Sequence, residues 1–98
     1  MAHTAEVISG LRSGESGMML LSIQMKIVKH LDAGNTERVR DYMSVLGKAG
    51  KISDLDPEIK KRAIDALRDE YVPYGPVGTD DFHIYRKADL EARLGRKL

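Results

Sequence analysis

The chain contains no cysteine and no tryptophan, only one phenylalanine and only three prolines. Without cysteine, disulfides, thiolate catalysis and Cys-ligated zinc are excluded, and a reducing cytoplasm is the expected setting. With aromatic residues at 5% of the chain, the core has to be built from Leu, Ile, Val and Met. Long apolar runs are missing too. The longest, Met18 to Leu21, falls far short of the roughly 20 residues that a membrane span needs, so no membrane partner is expected. The opening MAHTAEVISGLRSG has no basic stretch followed by an apolar one, so no signal peptide is expected. An excess of one charge is also absent. The 16 Lys and Arg against 15 Asp and Glu leave a net charge of +1, so composition alone does not argue for a polyanionic partner.

Catalytic signatures are equally scarce. His3, His30 and His83 are scattered, without HxxxH or HExxH spacing for a metal. There is no GxSxG. LGKAGKIS is unlike a working phosphate loop, because Ile52 follows Lys51 where Ser or Thr is required. Asp80, Asp81 and His83 form a loose cluster, but in a turn composition where Asp is common. The expectation is a protein that is not an enzyme, with no metal and no cofactor.

What is present is one small domain. A length of 98 residues suits a single modest core, and 42% hydrophobic with 32% charged residues suits a chain that must expose much of its surface. Such a size suggests a prokaryotic or phage source. Residues 1–14 read as a flexible arm or a short helix, with Val7, Ile8 and Leu11 on one side and glycines interrupting. Residues 15–98 read as the domain proper. A first helix is expected over 16–33, where Leu20, Ile23, Ile27, Val28 and Leu31 recur at three- and four-residue steps. Met18, Met19, Leu21 and Met25 widen that stripe beyond one core face. Gly34 and Asn35 end it.

A second helix is expected over 36–48, capped by Asn35 or Thr36, with Val39, Tyr42, Met43 and Leu46 inward. A third is expected over 56–71: Asp56 is a natural N-cap, Pro57 fits the first helical position, and Pro73 closes it. Its inward set is Ile59, Ala63, Ala66 and Leu67, with Ile64 and Tyr71 beside them. The stretch VPYGPVGTDD is a turn composition, and Phe82 to Tyr85 alternates like a short strand that can pair with 72–74. A last helix, with Leu90 and Leu94 inward, is expected over 87–98.

From Leu20 to Arg86 this order resembles a winged helix-turn-helix domain. The ending FHIYRKADLEARL is similar to the last strand and helix of excisionase and MerR-type small DNA-binding proteins. Phe82, Ile84 and Tyr85 match their strand, Arg86 and Lys87 their basic step, and Asp89, Leu90 and Glu91 their helix start. The chain departs from the excisionase type in lacking an Ala-Ala-x-x-Leu-Gly segment, in its long turn before the third helix, and in that helix not being strongly basic. The fold class implied is mostly α with a small β-hairpin.

That resemblance implies a small DNA-binding regulator, with helix 56–71 in the major groove and loop 73–83 as the wing. The candidate contacts to double-stranded DNA are Lys51, Lys60, Lys61, Arg62, Arg68, Thr79, His83, Arg86 and Lys87. Glu58, Asp65, Asp69 and Glu70 lie among the helix cations, so a solvated surface face explains the pattern as well. Arg93, Arg96 and Lys97 fit a phosphate grip or simply the dipole of a helix end. Met18, Met19, Leu21 and Met25 are the candidate interface, either to a second copy in a homodimer or to another protein. The alternative function is therefore a small helical interaction module that binds a partner through helix 16–33.

Overall fold

A computed structural model describes residues 4–12 and 17–98 of the chain. The starts of the expected arm and of helix 16–33 lie outside the described residues. Five α-helices and one antiparallel hairpin are present among the rest: α1 (Thr4–Arg12), α2 (Gly17–Asp32), α3 (Thr36–Ala49), α4 (Pro57–Leu67), β1 (Tyr71–Tyr74), β2 (His83–Arg86) and α5 (Lys87–Leu94). A single 3-10 turn, Ile52–Asp54, joins α3 to α4. The chain is thus mostly helical with a small two-stranded sheet, as expected.

The organising element is α3, which packs against α1, α2, α4 and β2. Val39, Met43 and Leu46 recur at helical spacing and are buried, as are Ser44, Val45, Gly47 and Ala49. Around them, α1 contributes Ile8 and Leu11, α2 contributes Ile23 and Ile27, and α4 contributes Ala63 and Leu67. α1 is therefore part of the core and not an arm. Gly50 closes α3 at φ 72°, a left-handed position that glycine takes without strain. Asn35 stands at the N-cap of α3, but its side chain makes no capping bond. Asp56 does cap α4: its carboxylate accepts from the N–H groups of Glu58 at 2.9 Å and Ile59 at 3.4 Å. Its own N–H donates to Gln24 Oε1 at 2.8 Å, which fastens the start of α4 to α2.

α4 ends at Leu67, earlier than the sequence suggests. Tyr71 opens β1 instead of closing the helix, and it is buried opposite Arg86. Burial of that ring in the sheet outweighs the local preference to continue the helix. Pro73 lies inside β1 and takes no part in ending α4. Ala66, expected inward, is exposed. α5 likewise stops at Leu94, where Gly95 turns left-handed at φ 72°.

The hairpin register pairs Tyr71 with Arg86, Val72 with Tyr85, Pro73 with Ile84 and Tyr74 with His83. Ile84 turns both its backbone groups toward α3. Its N–H donates to Ser44 Oγ at 3.1 Å, and its carbonyl accepts from Arg40 Nη1 at 3.3 Å. Pro73 and Ile84 are therefore a non-hydrogen-bonded pair, and the missing N–H of Pro73 would have pointed outward, away from β2.

The hairpin is held against α3 by two close approaches. A Cβ on Gly47 would sit 2.0 Å from the Phe82 ring, so only glycine fits there. The Gly47 carbonyl also accepts from the Gly78 N–H at 2.8 Å. Gly47→Ala is expected to lower stability by about 1–3 kcal/mol, the usual cost of overpacking, which thermal denaturation reads as a drop of roughly 4–8 °C per kcal/mol. Ser44→Ala leaves the Ile84 N–H buried without an acceptor and is expected to cost about 1–3 kcal/mol in the same assay. An unchanged midpoint in either variant contradicts this docking.

Candidate functional site

The residues expected to meet DNA come together only in part, and most of their charge is matched within the chain. Arg62 of α4 reaches Asp32 at the end of α2, Nη2 to Oδ1 2.9 Å. Arg68 pairs with Asp65 at 3.0 Å and Lys51 with Asp54 at 3.6 Å. Arg86 lies between Glu70 at 3.7 Å and Glu37 at 4.0 Å, with its guanidinium 5.8 Å from the centre of the Tyr71 ring. Lys60, Lys61 and Lys87 make no ion pair among the described residues; Lys61 and Lys87 are exposed and Lys60 is half-buried.

The loop 75–82 is tied down. Besides the Gly78 bond, Lys48 donates from Nζ to the carbonyls of Asp80 and Phe82. Arg12 of α1 bridges the Lys48 carbonyl at 2.6 Å and the Asp80 carboxylate at 3.2 Å. Thr79 spends its hydroxyl inside the turn, donating to the Pro76 carbonyl at 2.8 Å and accepting from the Asp81 N–H at 3.3 Å. Thr79 is thus a turn-former here, not an available phosphate contact. His83 stands edge-on to Tyr85, with ring centroids 4.7 Å apart. Its pKa lies below the ordinary 6.5, first because of burial and then because Lys48 and Arg40 repel a proton. A neutral imidazole at pH 7 offers no cation to a phosphate.

The expected interface set divides. Met18, Leu21 and Met25 are exposed, at 84%, 56% and 67%. Met19 is not with them. It is half-buried against the core, and its Cε and Sδ fill the space that a side chain on Gly10 would take. Successive positions on a helix differ by about 100°, so Met18 and Met19 cannot share one face.

The feature that the sequence reading missed is a groove of about 800 Å³ between α4 and the hairpin. Met43, Phe82 and Ile84 lie in it from the core side, and Ile64, Tyr74 and Val77 are exposed along it at 47%, 47% and 62%. Arg68 and Lys87 supply the cations in its lining. Two signals for it stand in the sequence. Ile64 falls off the Ile59–Ala63–Leu67 stripe, and Val77 is an apolar residue in a Gly/Pro turn. A second, shallower depression of about 420 Å³ lies between α2 and the start of α4, lined by Leu21, Gln24, Met25, Val28, Asp56 and Ile59.

No known protein family, curated protein or solved structure matches the chain. No helix among the described residues is long and apolar enough to cross a membrane.

The depressed pKa of His83 has a definite sign in stability. Well above 6.5 the imidazole is neutral in both folded and unfolded chains. As pH falls below 6.5 the unfolded chain takes up the proton first, so the folded state loses ground until the lower folded pKa is passed. The thermal midpoint is expected to fall from pH 7.5 toward acid, and His83→Gln to flatten part of that fall. An identical pH profile in the variant would show that His83 does not carry it.

Proposed function

We propose that this protein is a small module of winged-helix type that binds another protein, taking an apolar segment with acidic residues into the groove between α4 and the hairpin. The observation that carries this reading is the groove itself. Ile64, Tyr74 and Val77 stand open to solvent along it, on the helix and loop that a winged helix would turn toward DNA. An apolar surface of this kind gains by excluding water against another apolar surface. Duplex DNA presents phosphates, and its affinity for a protein comes chiefly from unmatched Lys and Arg. Here Arg62, Arg68 and Arg86 already have carboxylate partners, and the loop carries Asp80 and Asp81. The acidic character of the partner segment follows from Lys87, a cation in the groove lining that makes no ion pair among the described residues.

DNA binding is supported by the element order and by Lys60, Lys61 and Lys87, which make no ion pair among the described residues. It is the outcome that would overturn the proposal. The test is selection of a displayed random-peptide library on the folded protein, run beside the groove variants Ile64→Glu and Val77→Asp. Both positions are exposed, so the variants are expected to fold, with circular dichroism as the check. Enriched peptides are expected to combine apolar anchors with Asp or Glu and to be lost on both variants. Absence of enrichment, or enrichment that survives the substitutions, contradicts the groove. Tight binding to random-sequence duplex DNA that weakens steeply between about 50 and 200 mM salt restores the DNA reading.

A further inference from the structure

The backbone around the groove between α4 and the hairpin is already engaged. On α4 the Ile64 carbonyl accepts from the Arg68 N–H at 3.0 Å, and the Leu67 carbonyl accepts from the Glu70 N–H at 3.3 Å. In the loop, the Phe82 N–H donates to the Thr79 carbonyl at 3.2 Å. Ile84 gives both its backbone groups to α3. The Lys87 N–H donates to the Glu70 carbonyl at 2.9 Å, which makes Glu70 and Lys87 a hydrogen-bonded pair just before β1. Alternation along the hairpin then gives Val72 with Tyr85 and Tyr74 with His83 the same kind of pairing. Tyr71 and Pro73 turn outward, and Pro73 has no N–H to offer.

Side chains add little to this. Among the described residues, no Asn, Gln, Ser or Thr stands in the groove lining. Arg68 is paired with Asp65. An extended segment laid here finds few partners for its own N–H and C=O groups. Each one left unmatched costs free energy comparable to a lost hydrogen bond. A proline-rich segment has fewer N–H groups, but the grooves that hold one are lined with aromatic rings. Here Ile64 and Val77 are aliphatic, and Tyr74 is the one ring exposed beside them. A helix brings its backbone hydrogen bonds with it and asks only for apolar contact.

We infer that the segment taken by this groove is an amphipathic helix, with apolar anchors on one face set among Ile64, Tyr74 and Val77 and an acidic residue in its end turn against Lys87. The inference rests on the groove being the binding surface proposed above. Lys87 follows Arg86, which pairs with Tyr71 at the start of β1, and Val77 lies in the loop beyond the end of that strand. The unpaired cation therefore marks one end of the groove and the exposed apolar loop residue the other. Anchors spaced i, i+3 or i+4 and i+7 keep to one helix face, and a carboxylate one turn beyond them meets the ammonium.

Two displayed peptide libraries test this on the whole chain. One varies the apolar positions of an Ala/Glu/Lys-rich framework of about 18 residues, long enough to favour helix. The other sets the same apolar residues among regularly repeated prolines, which no helix tolerates. Both are run in parallel on the Ile64→Glu and Val77→Asp variants. The helical library is expected to yield binders that both variants lose, and the proline library none. A proline placed between the anchors of an enriched helical peptide is expected to weaken it at least roughly tenfold. Lys87→Glu is expected to weaken peptides with an acidic end turn, and exchange of that acid for Lys in the peptide to restore them. Groove-dependent binders from the proline library, or indifference to the inserted proline, overturn the helix and leave the groove reading standing. Indifference to Lys87→Glu overturns the acidic end turn. Absence of groove-dependent binders from both libraries overturns the groove reading and the helix together.

Discussion

The contact between the Phe82 ring and the bare backbone of Gly47 sets the position of everything C-terminal to α4. A ring can approach a helix this closely only where the helix has no side chain. Once it does, neighbouring backbone groups fall into place. Gly78 reaches the Gly47 carbonyl and Ile84 reaches Ser44 Oγ, both through their N–H groups. The two bonds differ in kind. One anchors the loop and the other anchors the strand, so the hairpin is held at two points along α3. The groove beside α4 is the space left over once the hairpin is fixed in this way. Its shape depends on α3, although α3 contributes only Met43 to its lining.

The same geometry determines what the charges are available for. Arg12 and Lys48 are spent on the loop and on the end of α3, and Arg62 is spent on holding α4 to α2. Exposed pairs of this kind add little to stability each. Their larger effect is on the field outside the protein, because a matched guanidinium projects less positive potential than a free one. With Arg12, Arg62, Arg68 and Arg86 matched, the near-neutral chain projects little positive potential from these positions.

Much of the helical framework was legible in the sequence because its signals are local. Asp56 and Pro57 announce the start of α4, and the Val39–Met43–Leu46 spacing gives the core face of α3. The end of α4 was not legible, since what removes Tyr71 from the helix is a pairing with Arg86 and burial that exist only in the folded chain. Met18 and Met19 could not be told apart for a similar reason. Which of two adjacent residues faces inward depends on where α1, α3 and α4 lie around α2. The alternation of cations and carboxylates along α4 was visible, but not that Arg62 answers Asp32, thirty positions away. The groove was the least legible feature, because it belongs to no single element. Only Ile64 and Val77, apolar residues out of pattern, hinted at it.

Pro73 has a consequence for how any partner is read. The two strands have two outer edges, and a neighbouring chain can extend a sheet only where an edge offers a run of alternating donors and acceptors. On β2 that edge is occupied, with Ile84 bonded to Ser44 and Arg40 of α3. On β1 the outward position of Pro73 has no donor to give. Strand addition is blocked on both sides, so an extended segment cannot be captured through its backbone regardless of sequence. The same blunted edge keeps copies of the hairpin from stacking into a continuous sheet.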